Sequence, residues 1–344
     1  MTLNTMLAAI YEPGNNDLVL KEYPIPTPFK KQVLLKVTAS AVCHSDVFFL
    51  SGSFPLSNPV ILGHEIVGIP VQLGPDVTGI EEGHLYAVWV IDPCAAKAAG
   101  VAPIIDSTGI GMNGGYAEYV LVEDSQLVPV PHGLKPEIAA LAADSLLTVY
   151  NAVHNVAGLR PRSDLKVLII GIGGLGHQAV QLCKHYGATV YACDYKPAAR
   201  QLALELGATK AFDLAELTDA TTTKKLTVDI VFDFVATSQT FTLAKAATQA
   251  DSNTLGKHGK IVVVGVSEET MTFTSIELIL ADVYVLPTLY GSKDDVKSSL
   301  KLLADGAVRP VVQVEPLENV NKIINELRAN QVTGRKVIMP GLKI

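Results

Sequence analysis

The sequence predicts an α/β protein in which a β-rich domain precedes a doubly wound parallel sheet. Two observations support this fold class. Short apolar runs punctuated by glycine and proline fill the first third of the chain, and strand-like and helix-like segments alternate from residue 166 onward. The 344 residues suffice for two ordinary domains. We therefore expect one domain over residues 1–150, with residues 286–344 returning to it, and a second over residues 151–285.

The β-rich domain is predicted from short segments of alternating or β-branched character. Residues 32–39 show this pattern most clearly, and further short strands are expected at 60–62, 66–68 and 85–90. The glycines and prolines between these segments indicate a compact, irregular, barrel-like arrangement. The residue pattern changes near residue 137, where a helix is predicted to begin at Pro136.

The second domain is predicted from a regular alternation of buried strands and helices. Its strands are expected at 166–170, 189–193, 229–235 and 260–266, and its helices at 177–186 and 198–206. Alternation of this kind is typical of a parallel sheet covered on both faces. The remaining elements are a helix, a strand, a helix and a strand, expected at 293–305, 309–314, 317–330 and 336–339.

The composition favours a cytoplasmic globular protein and disfavours two classes of partner. Apolar residues make up 49% of the chain, charged residues 18%, and the net charge is −7. A large core is therefore possible, and neither nucleic acid nor an anionic membrane is expected as a general partner. We see no signal peptide, no membrane-length apolar run and no C-x-x-C pair among the four cysteines. A reducing compartment without disulfides fits best.

A glycine-rich turn between a predicted strand and a predicted helix indicates a dinucleotide site of the Rossmann type. The first glycine permits a tight turn, the second lets backbone N–H groups approach a pyrophosphate, and the last lets the helix pack closely on the strand. A glycine turn without a ligand is the alternative, but the strand, the helix and a following acidic residue disfavour it. The turn residues expected to bind the cofactor are Gly171, Gly173, Gly174, Leu175 and Gly176.

Asp194 supplies the acidic residue, eighteen positions after Gly176 and at the end of the next predicted strand. Its carboxylate would accept hydrogen bonds from the adenosine ribose and repel a 2′-phosphate, which favours NAD(H) over NADP(H). Lys196 and Arg200 lie nearby and weaken that preference, and Lys196 is included among the expected cofactor contacts.

A candidate metal site lies in the β-rich domain. Cys43 is followed twenty-one residues later by His64, and a thiolate and an imidazole are ligands that zinc prefers. On spacing alone, such a pair is more often part of a core. The adjacent carboxylates Asp46 and Glu65 favour the metal, because a neighbouring carboxylate orients a ligating histidine. A catalytic zinc needs a third protein ligand from elsewhere in the chain.

Taken in order, these motifs resemble those of the zinc-type medium-chain alcohol dehydrogenases. The resemblance covers nearly the whole chain and is carried by four segments: Cys43-His44-Ser45-Asp46, Gly63-His64-Glu65, Gly114-Gly115-Tyr116-Ala117-Glu118-Tyr119 and Gly171-Ile172-Gly173-Gly174-Leu175-Gly176. It implies a GroES-like catalytic domain joined to a Rossmann domain, with the active site in the cleft between them. It also implies reversible hydride transfer between nicotinamide and a small alcohol or carbonyl substrate.

The resemblance also points to the third ligand. The family usually has a cysteine shortly before a segment like Thr148-Val149-Tyr150, and here Asp144 stands at that place. This departure resembles a fungal and yeast carbonyl-reductase branch in which Cys, His and Asp hold the metal. One catalytic zinc on Cys43, His64 and Asp144 is therefore expected. The alternative is that Asp144 is an ordinary helix residue and the metal is lost.

A second departure concerns the structural zinc of many relatives, which is held by four closely spaced cysteines. Only Cys94 is present in the corresponding lobe, roughly residues 92–112. We therefore expect no structural zinc.

The resemblance assigns further roles to single residues. Ser45 matches the hydroxyl that bonds the reacting oxygen and starts a proton relay, with Glu65 and Asp46 completing the predicted catalytic set. Phe48 replaces a relay histidine, so the proton would leave through water, ribose hydroxyls or His44, which could instead face the pyrophosphate.

Two more residues are assigned to the cofactor by the same resemblance. Thr148 is expected near the nicotinamide. Arg335 is expected to contact the cofactor, or else to be a solvated basic residue before the last strand.

The substrate and the assembly are less defined. The side chains that could line an apolar pocket are Phe48, Leu50, Phe54 and Trp89. Aromatic residues of a β domain are, however, more often part of the core. Lining by several of them would indicate an apolar alcohol, aldehyde or ketone. The apolar segment 283–286 suggests a homo-oligomer, a dimer or tetramer.

Two rival functions remain at this stage. The first is a zinc-free medium-chain alkene or quinone reductase with the same fold. The second is a non-catalytic dinucleotide-binding protein.

Overall fold

The computed structural model describes residues 5–52, 56, 59–91, 107–248, 259–277 and 283–342. The chain divides into two compact units. Unit 1 comprises the described residues of Met1–Leu147, Tyr290–Gly306 and Pro310–Ile344, and unit 2 comprises those of Thr148–Leu289 and Ala307–Arg309. Two predicted features, Phe54 and Cys94, lie outside the described residues.

Unit 1 is built from two mainly antiparallel sheets. In the smaller sheet, strand β1 (Thr5–Tyr11) lies between β2 (Val19–Pro24) and β4 (Val60–Ile61). The larger sheet has the order β15-β16-β3-β5-β6-β8, with β7 also paired to β3. Its strands are β3 (Gln32–Val42), β5 (Glu65–Leu73), β6 (Tyr86–Val88), β7 (Tyr119–Glu123), β8 (Leu127–Pro129), β15 (Val312–Glu315) and β16 (Arg335–Ile338).

Short helices connect and cover these sheets. They are α1 (His44–Leu50), α2 (Pro136–Ala139), α3 (Ser145–Tyr150, which passes into unit 2), α8 (Lys293–Ala304) and α9 (Val320–Arg328). The helix predicted from Pro136 is interrupted, because a 3₁₀ segment, Ala140–Ala143, follows α2 before α3 begins. The predicted helix 317–330 likewise starts with a 3₁₀ turn, Leu317–Asn319.

Unit 2 confirms the predicted parallel sheet. Its strand order is β11-β10-β9-β12-β13-β14, and every pairing is parallel. This is the doubly wound order 3-2-1-4-5-6 of a dinucleotide-binding fold. The strands are β9 (Lys166–Ile170), β10 (Thr189–Cys193), β11 (Lys210–Phe212), β12 (Ile230–Asp233), β13 (Gly259–Val263) and β14 (Val283–Pro287).

Unit 2 contains a π-helical segment, Asn151–Val156, and the helices α4 (Gly176–His185), α5 (Pro197–Glu205), α6 (Leu214–Thr222) and α7 (Ser238–Thr248). Helices α6 and α7 were not predicted from the sequence. A signal for α6 was present: Asp213 accepts a hydrogen bond from the backbone N–H of Glu216 at 2.9 Å, which is the capping pattern that begins a helix. The core of this unit is apolar and includes Leu168, Phe212 and Val231.

Within the part of the chain that the structure describes, no helix is both long and apolar enough to cross a membrane.

Candidate active site

Cys43 lies at the junction between strand β3 and helix α1. The strand ends at Val42, and Cys43 precedes the first helical residue. Its backbone N–H donates a 3.0 Å hydrogen bond to Oδ2 of Asp46, in the first turn of α1. This contact fixes the start of the helix and leaves the Cys43 side chain buried at 6% exposure.

His64 is positioned by the glycine before it. Gly63 has φ +98°, and a Cβ atom there would lie 2.5 Å from the ring of Tyr116. Only glycine fits this turn, because a side chain would meet both an unfavourable backbone conformation and the tyrosine ring. The turn leads into β5 with the His64 side chain fully enclosed, at 1% exposure for the residue.

Asp144 lies at the break between the 3₁₀ segment Ala140–Ala143 and helix α3. Its φ and ψ of −145° and −66° are not helical. Asp144 therefore lies at a break between two helical segments and not on a continuous helix face, and its predicted role as a metal ligand stays a prediction. The residue is 6% exposed.

These three residues and Glu65 form one buried cluster. A ligand atom of each lies within 4.8 Å of the ligand atoms of the others. The two nitrogens of His64 face different carboxylates: Nε2 lies 3.5 Å from Oδ2 of Asp144, and Nδ1 lies 3.6 Å from Oδ1 of Asp46. Nε2 is thus on the cluster side, and Asp46 lies behind the ring, as a carboxylate that orients a ligating histidine should.

The electrostatics of this cluster favour a cation. Burial by itself would lower the pKa of His64, but Asp46, Asp144 and Cys43 outweigh it and raise that pKa well above its usual value. Burial raises the pKa of Asp46, and it raises the pKa of Glu65 to about 7 against the opposing charge of Arg335. Several acidic groups enclosed together are costly unless positive charge compensates them.

The donor set fits zinc. A thiol, an imidazole and carboxylates are the groups zinc binds in proteins. One buried oxygen of the cluster, Oε2 of Glu65, has no hydrogen-bond partner among the described residues. Buried polar atoms in native proteins rarely stay unsatisfied, so this oxygen is available to a ligand bound at the cluster.

Arg335 neutralises Glu65. Its Nη2 donates a hydrogen bond to Oε1 of Glu65. Strand pairing brings the two residues together, because β3 lies between β16 and β5 and pairs Val42 with Lys336 and Ala41 with Glu65. Arg335 is 4% exposed, so the alternative of a solvated residue is wrong. Its predicted contact with the cofactor stays a prediction.

Helix α1 presents the predicted proton-relay residues. The Oγ of half-buried Ser45 lies 3.2 Å from Sγ of Cys43. His44 is the exposed first residue of the helix. Sequence reasoning missed Phe49, whose ring is edge-on to His64 with centroids 6.1 Å apart.

The predicted pocket residues separate into different environments. Phe48 is half-buried, whereas Leu50 is a core residue at 2% exposure. The indole N–H of Trp89 donates a 3.0 Å hydrogen bond to the carbonyl of Gly291. Trp89 therefore anchors the segment that re-enters unit 1.

Tyr116 lies in one of the motif segments of the sequence, but no role was predicted for it. Its hydroxyl donates a 2.5 Å hydrogen bond to Oδ2 of Asp46, and the residue is fully buried. Asp46 thus accepts hydrogen bonds from Cys43 and Tyr116 with one oxygen while its other oxygen faces His64.

In unit 2, the predicted glycine turn joins β9 to α4. Gly171 has φ +88°, and a Cβ atom on Gly176 would lie 1.8 Å from the carbonyl oxygen of Gly171, so a side chain at 176 is excluded. A Cβ atom on Gly173 would meet no atom of the described chain within 4 Å. Gly174 and Leu175 complete the turn. This open space beside a helix N-terminus fits the predicted pyrophosphate.

Two side chains of helix α4 donate hydrogen bonds to backbone carbonyl groups of the glycine turn. Nδ1 of His177 donates to the carbonyl of Gly173, and Nε2 of Gln178 donates to the carbonyl of Gly174, both at 2.8 Å. Neither residue was identified from the sequence, because each lies just beyond the glycine motif.

Asp194 follows β10 and is tied to the same turn. Its carboxylate accepts hydrogen bonds from the backbone N–H groups of Ile172 and Lys196, both at 2.8 Å. Arg200 is directed to the carbonyls of Asp194 and Tyr195, each at 2.9 Å. The Lys196 ammonium lies 5.5 Å from the ring centroid of Tyr195.

Thr148 is half-buried in helix α3, and its predicted contact with nicotinamide stays a prediction.

A doubly wound sheet with a glycine turn, together with a separate β-rich unit carrying a buried Cys-His-Asp cluster, defines the class of zinc-binding, nucleotide-dependent dehydrogenases. The comparison with known families agrees. Residues 30–132 match the alcohol dehydrogenase GroES-like domain, and residues 174–305 match the zinc-binding dehydrogenase domain.

Individual relatives extend over almost the whole chain. An alcohol dehydrogenase of Geobacillus stearothermophilus is 31% identical, covering 97% of this chain and 99% of the relative. An NAD-dependent alcohol dehydrogenase of Saccharolobus solfataricus is 33% identical, covering 94% and 96%. The structure of acetophenone reductase from Geotrichum candidum in complex with NAD superposes with a TM-score of 0.85 at 33% identity, covering 98% of each chain. The chain therefore belongs to the alcohol dehydrogenase family of zinc-type medium-chain dehydrogenases/reductases.

Proposed function

We propose that this protein is a zinc-dependent, NAD(H)-linked carbonyl reductase and alcohol dehydrogenase acting on apolar ketones, aldehydes and alcohols. The observation that carries the proposal is the buried cluster of Cys43, His64 and Asp144, whose ligand atoms lie within 4.8 Å of one another. Relatives named alcohol dehydrogenase and acetophenone reductase support the substrate class.

Cys43, His64 and Asp144 would hold the metal, with Glu65 restrained beside them by Arg335. Zinc bound there supplies a Lewis acid for the substrate oxygen, and the nicotinamide supplies or accepts the hydride. A thiolate and a carboxylate balance the charge of Zn²⁺, which explains how an aspartate can take the place of a second thiolate.

The chain's own groups orient the ligands and move the proton. Asp46 fixes the ring of His64, and Tyr116 in turn fixes Asp46 through its 2.5 Å hydrogen bond. The hydroxyl of Ser45 donates a proton to the carbonyl oxygen in reduction and accepts one from the alcohol in oxidation. That proton would exchange with solvent through water, the ribose hydroxyls or the exposed imidazole of His44, the preceding residue.

The cofactor residues act in unit 2. The glycine turn would offer its N–H groups to the pyrophosphate at the start of α4. The Asp194 carboxylate, already aligned by two backbone donors, would bond the ribose hydroxyls and repel a 2′-phosphate. These contacts explain a preference for NAD(H).

We also propose that the protein forms a homo-oligomer through β14. This strand lies at the end of the sheet order, and Tyr284 and Val285 on it are 50% and 38% exposed. An apolar edge strand is suited to pairing with a second copy. Light scattering of a Val285→Lys variant, which should be monomeric, tests this.

The test of the enzymatic proposal distinguishes the contribution of the metal site from that of the cofactor site. Zinc content, NADH affinity and reduction of a panel of aryl and aliphatic ketones are measured for the wild type, for Asp144→Ala and for Asp194→Ala. We expect about one zinc per chain in the wild type. Asp144→Ala should lose zinc and turnover but keep NADH affinity, and Asp194→Ala should keep zinc and lose NADH affinity.

Two results would contradict the proposal. Full zinc retention and activity in Asp144→Ala would remove that residue from the ligand set. A wild type that carries no zinc after purification, yet reduces an activated alkene or a quinone, would favour a zinc-free reductase.

A further inference from the structure

Tyr290 carries a buried hydroxyl that the proposed mechanism does not use. The residue is 7% exposed, and its hydroxyl has no hydrogen-bond partner in the part of the chain that the structure describes. Buried hydroxyl groups in native proteins are nearly always paired with protein, water or a ligand. The hydroxyl of Tyr290 is therefore available to a partner other than the described residues of the chain.

The backbone at Tyr290 is also unusual. Its φ of +47° lies in the left-handed region, which is unfavourable for a bulky residue. Such conformations persist where the surroundings impose them, and they are frequent at functional sites.

Contacts on the next two residues impose this conformation. The carbonyl of Gly291 accepts the hydrogen bond from the indole of Trp89, and a Cβ atom on Gly291 would lie 2.7 Å from a methyl group of Leu147. Ser292 caps the start of helix α8: its hydroxyl oxygen accepts a hydrogen bond from the backbone N–H of Asp295, and its own backbone N–H donates to the Asp295 carboxylate. The Tyr290 side chain is thus held in place by a fixed backbone.

Besides burial, the electrostatic environment of the hydroxyl is set by the residues of the metal cluster. The negative groups that act on it are those of the metal cluster: Asp144 most strongly, then Cys43, Glu65 and Asp46. Burial raises the pKa of Tyr290 well above its usual value, and these charges raise it further. The phenol therefore remains protonated and can act as a hydrogen-bond donor.

We propose that Tyr290 is a second hydrogen-bond donor, in addition to Ser45, for the oxygen of the alcohol or carbonyl substrate held at the metal cluster. This inference rests on the function proposed above. It makes Tyr290 a residue that selects substrates by chemistry, because a ligand without an acceptor oxygen would leave a buried donor unpaired.

The test uses Tyr290→Phe, which removes only the hydroxyl. The full-length protein is loaded with Co²⁺ in place of zinc, and its visible absorption is titrated with 1-phenylethanol in the presence of NADH, so that no hydride can be transferred. The matched control is Tyr86→Phe, another buried tyrosine of unit 1, whose hydroxyl accepts a 3.0 Å hydrogen bond from the backbone of Glu81.

We expect Tyr290→Phe to bind cobalt as the wild type does and to bind the alcohol about 3- to 10-fold more weakly. Its melting temperature should not fall, because the lost hydroxyl has no hydrogen-bond partner among the described residues. Tyr86→Phe should show the opposite pattern, with unchanged alcohol affinity and a lower melting temperature.

Three results would overturn the inference. Unchanged alcohol affinity in Tyr290→Phe, with the wild type binding both metal and alcohol, would refute the contact and leave the proposed function standing. Weaker cobalt binding with unchanged alcohol affinity would make Tyr290 a support for Asp144 instead. A wild type that binds neither metal nor alcohol would refute the proposed function and the inference with it.

Discussion

Asp46→Asn is the perturbation that best tests how the candidate metal site is organised. In the wild type, one carboxylate oxygen of Asp46 accepts hydrogen bonds from Cys43 and Tyr116, and the other lies 3.6 Å from Nδ1 of His64. An asparagine keeps the shape but replaces one acceptor oxygen by an NH₂ donor. Whichever way the amide is turned, a donor then faces another donor.

The expected magnitude follows from the position of Asp46 behind a ligating histidine. Removing such a carboxylate typically weakens metal binding by about 10- to 100-fold, which corresponds to about 1.4 to 2.7 kcal/mol. The loss has two causes: the charge that supports His64 disappears, and the ring is no longer oriented by an acceptor.

Competition between the protein and a coloured zinc chelator measures this affinity. Asp233→Asn is the control, because Asp233 is also fully buried and accepts hydrogen bonds from Val235, Ala236 and Thr240, but it belongs to unit 2. Asp233→Asn should leave zinc affinity unchanged. A folded Asp46→Asn protein whose zinc affinity stays within about 3-fold of the wild type would refute the role we assign to the carboxylate.

Four further outcomes are expected. Gly63→Ala should lower the free energy of unfolding by about 2 to 4 kcal/mol, since its Cβ would meet Tyr116 in a left-handed backbone; thermal denaturation checks this, and an unchanged melting temperature contradicts it. Asp194→Ala should raise the KM for NAD⁺ about 10-fold or more and reduce discrimination against NADP⁺, as steady-state kinetics with both cofactors would show. Arg335→Met should lower the free energy of unfolding by about 3 to 5 kcal/mol, because it leaves the buried Glu65 carboxylate without a positive partner. Chemical denaturation should show that adding Glu65→Gln recovers part of that loss. Removal of zinc with a chelator should abolish turnover and lower the melting temperature while NADH binding persists; a metal-free protein with full activity would contradict the proposed mechanism.

The cofactor turn was predictable because its determinants are local. A buried strand, a glycine turn and a helix follow one another between Lys166 and His185, and each leaves its own pattern in the sequence. The parallel order of the sheet followed from the same alternation of segments. Helix α6 was overlooked although Asp213 and Glu216 carry a capping pattern, because the segment lacks a clear apolar periodicity.

The metal cluster was only partly predictable, because its members are brought together by tertiary structure. The sequence indicated Cys43 and His64 as zinc ligands through their residue types and the adjacent carboxylates, whereas Asp144 was identified only through a family resemblance. The contacts of Tyr116 with Asp46 and of Arg335 with Glu65 span 70 and 270 positions along the chain. No periodicity encodes such pairs, since they depend on how distant segments of the chain pack together in the folded unit.

The glycine turn of unit 2 has a consequence for protein engineering. Its two carbonyl groups are bonded by His177 and Gln178, at 2.8 Å each, so part of what shapes the turn lies after its last glycine. Transplanting residues 171–176 alone into another scaffold would lose both of these side-chain hydrogen bonds. A portable cassette should extend at least through Gln178, and a redesign of cofactor preference at Asp194 should leave both side chains untouched.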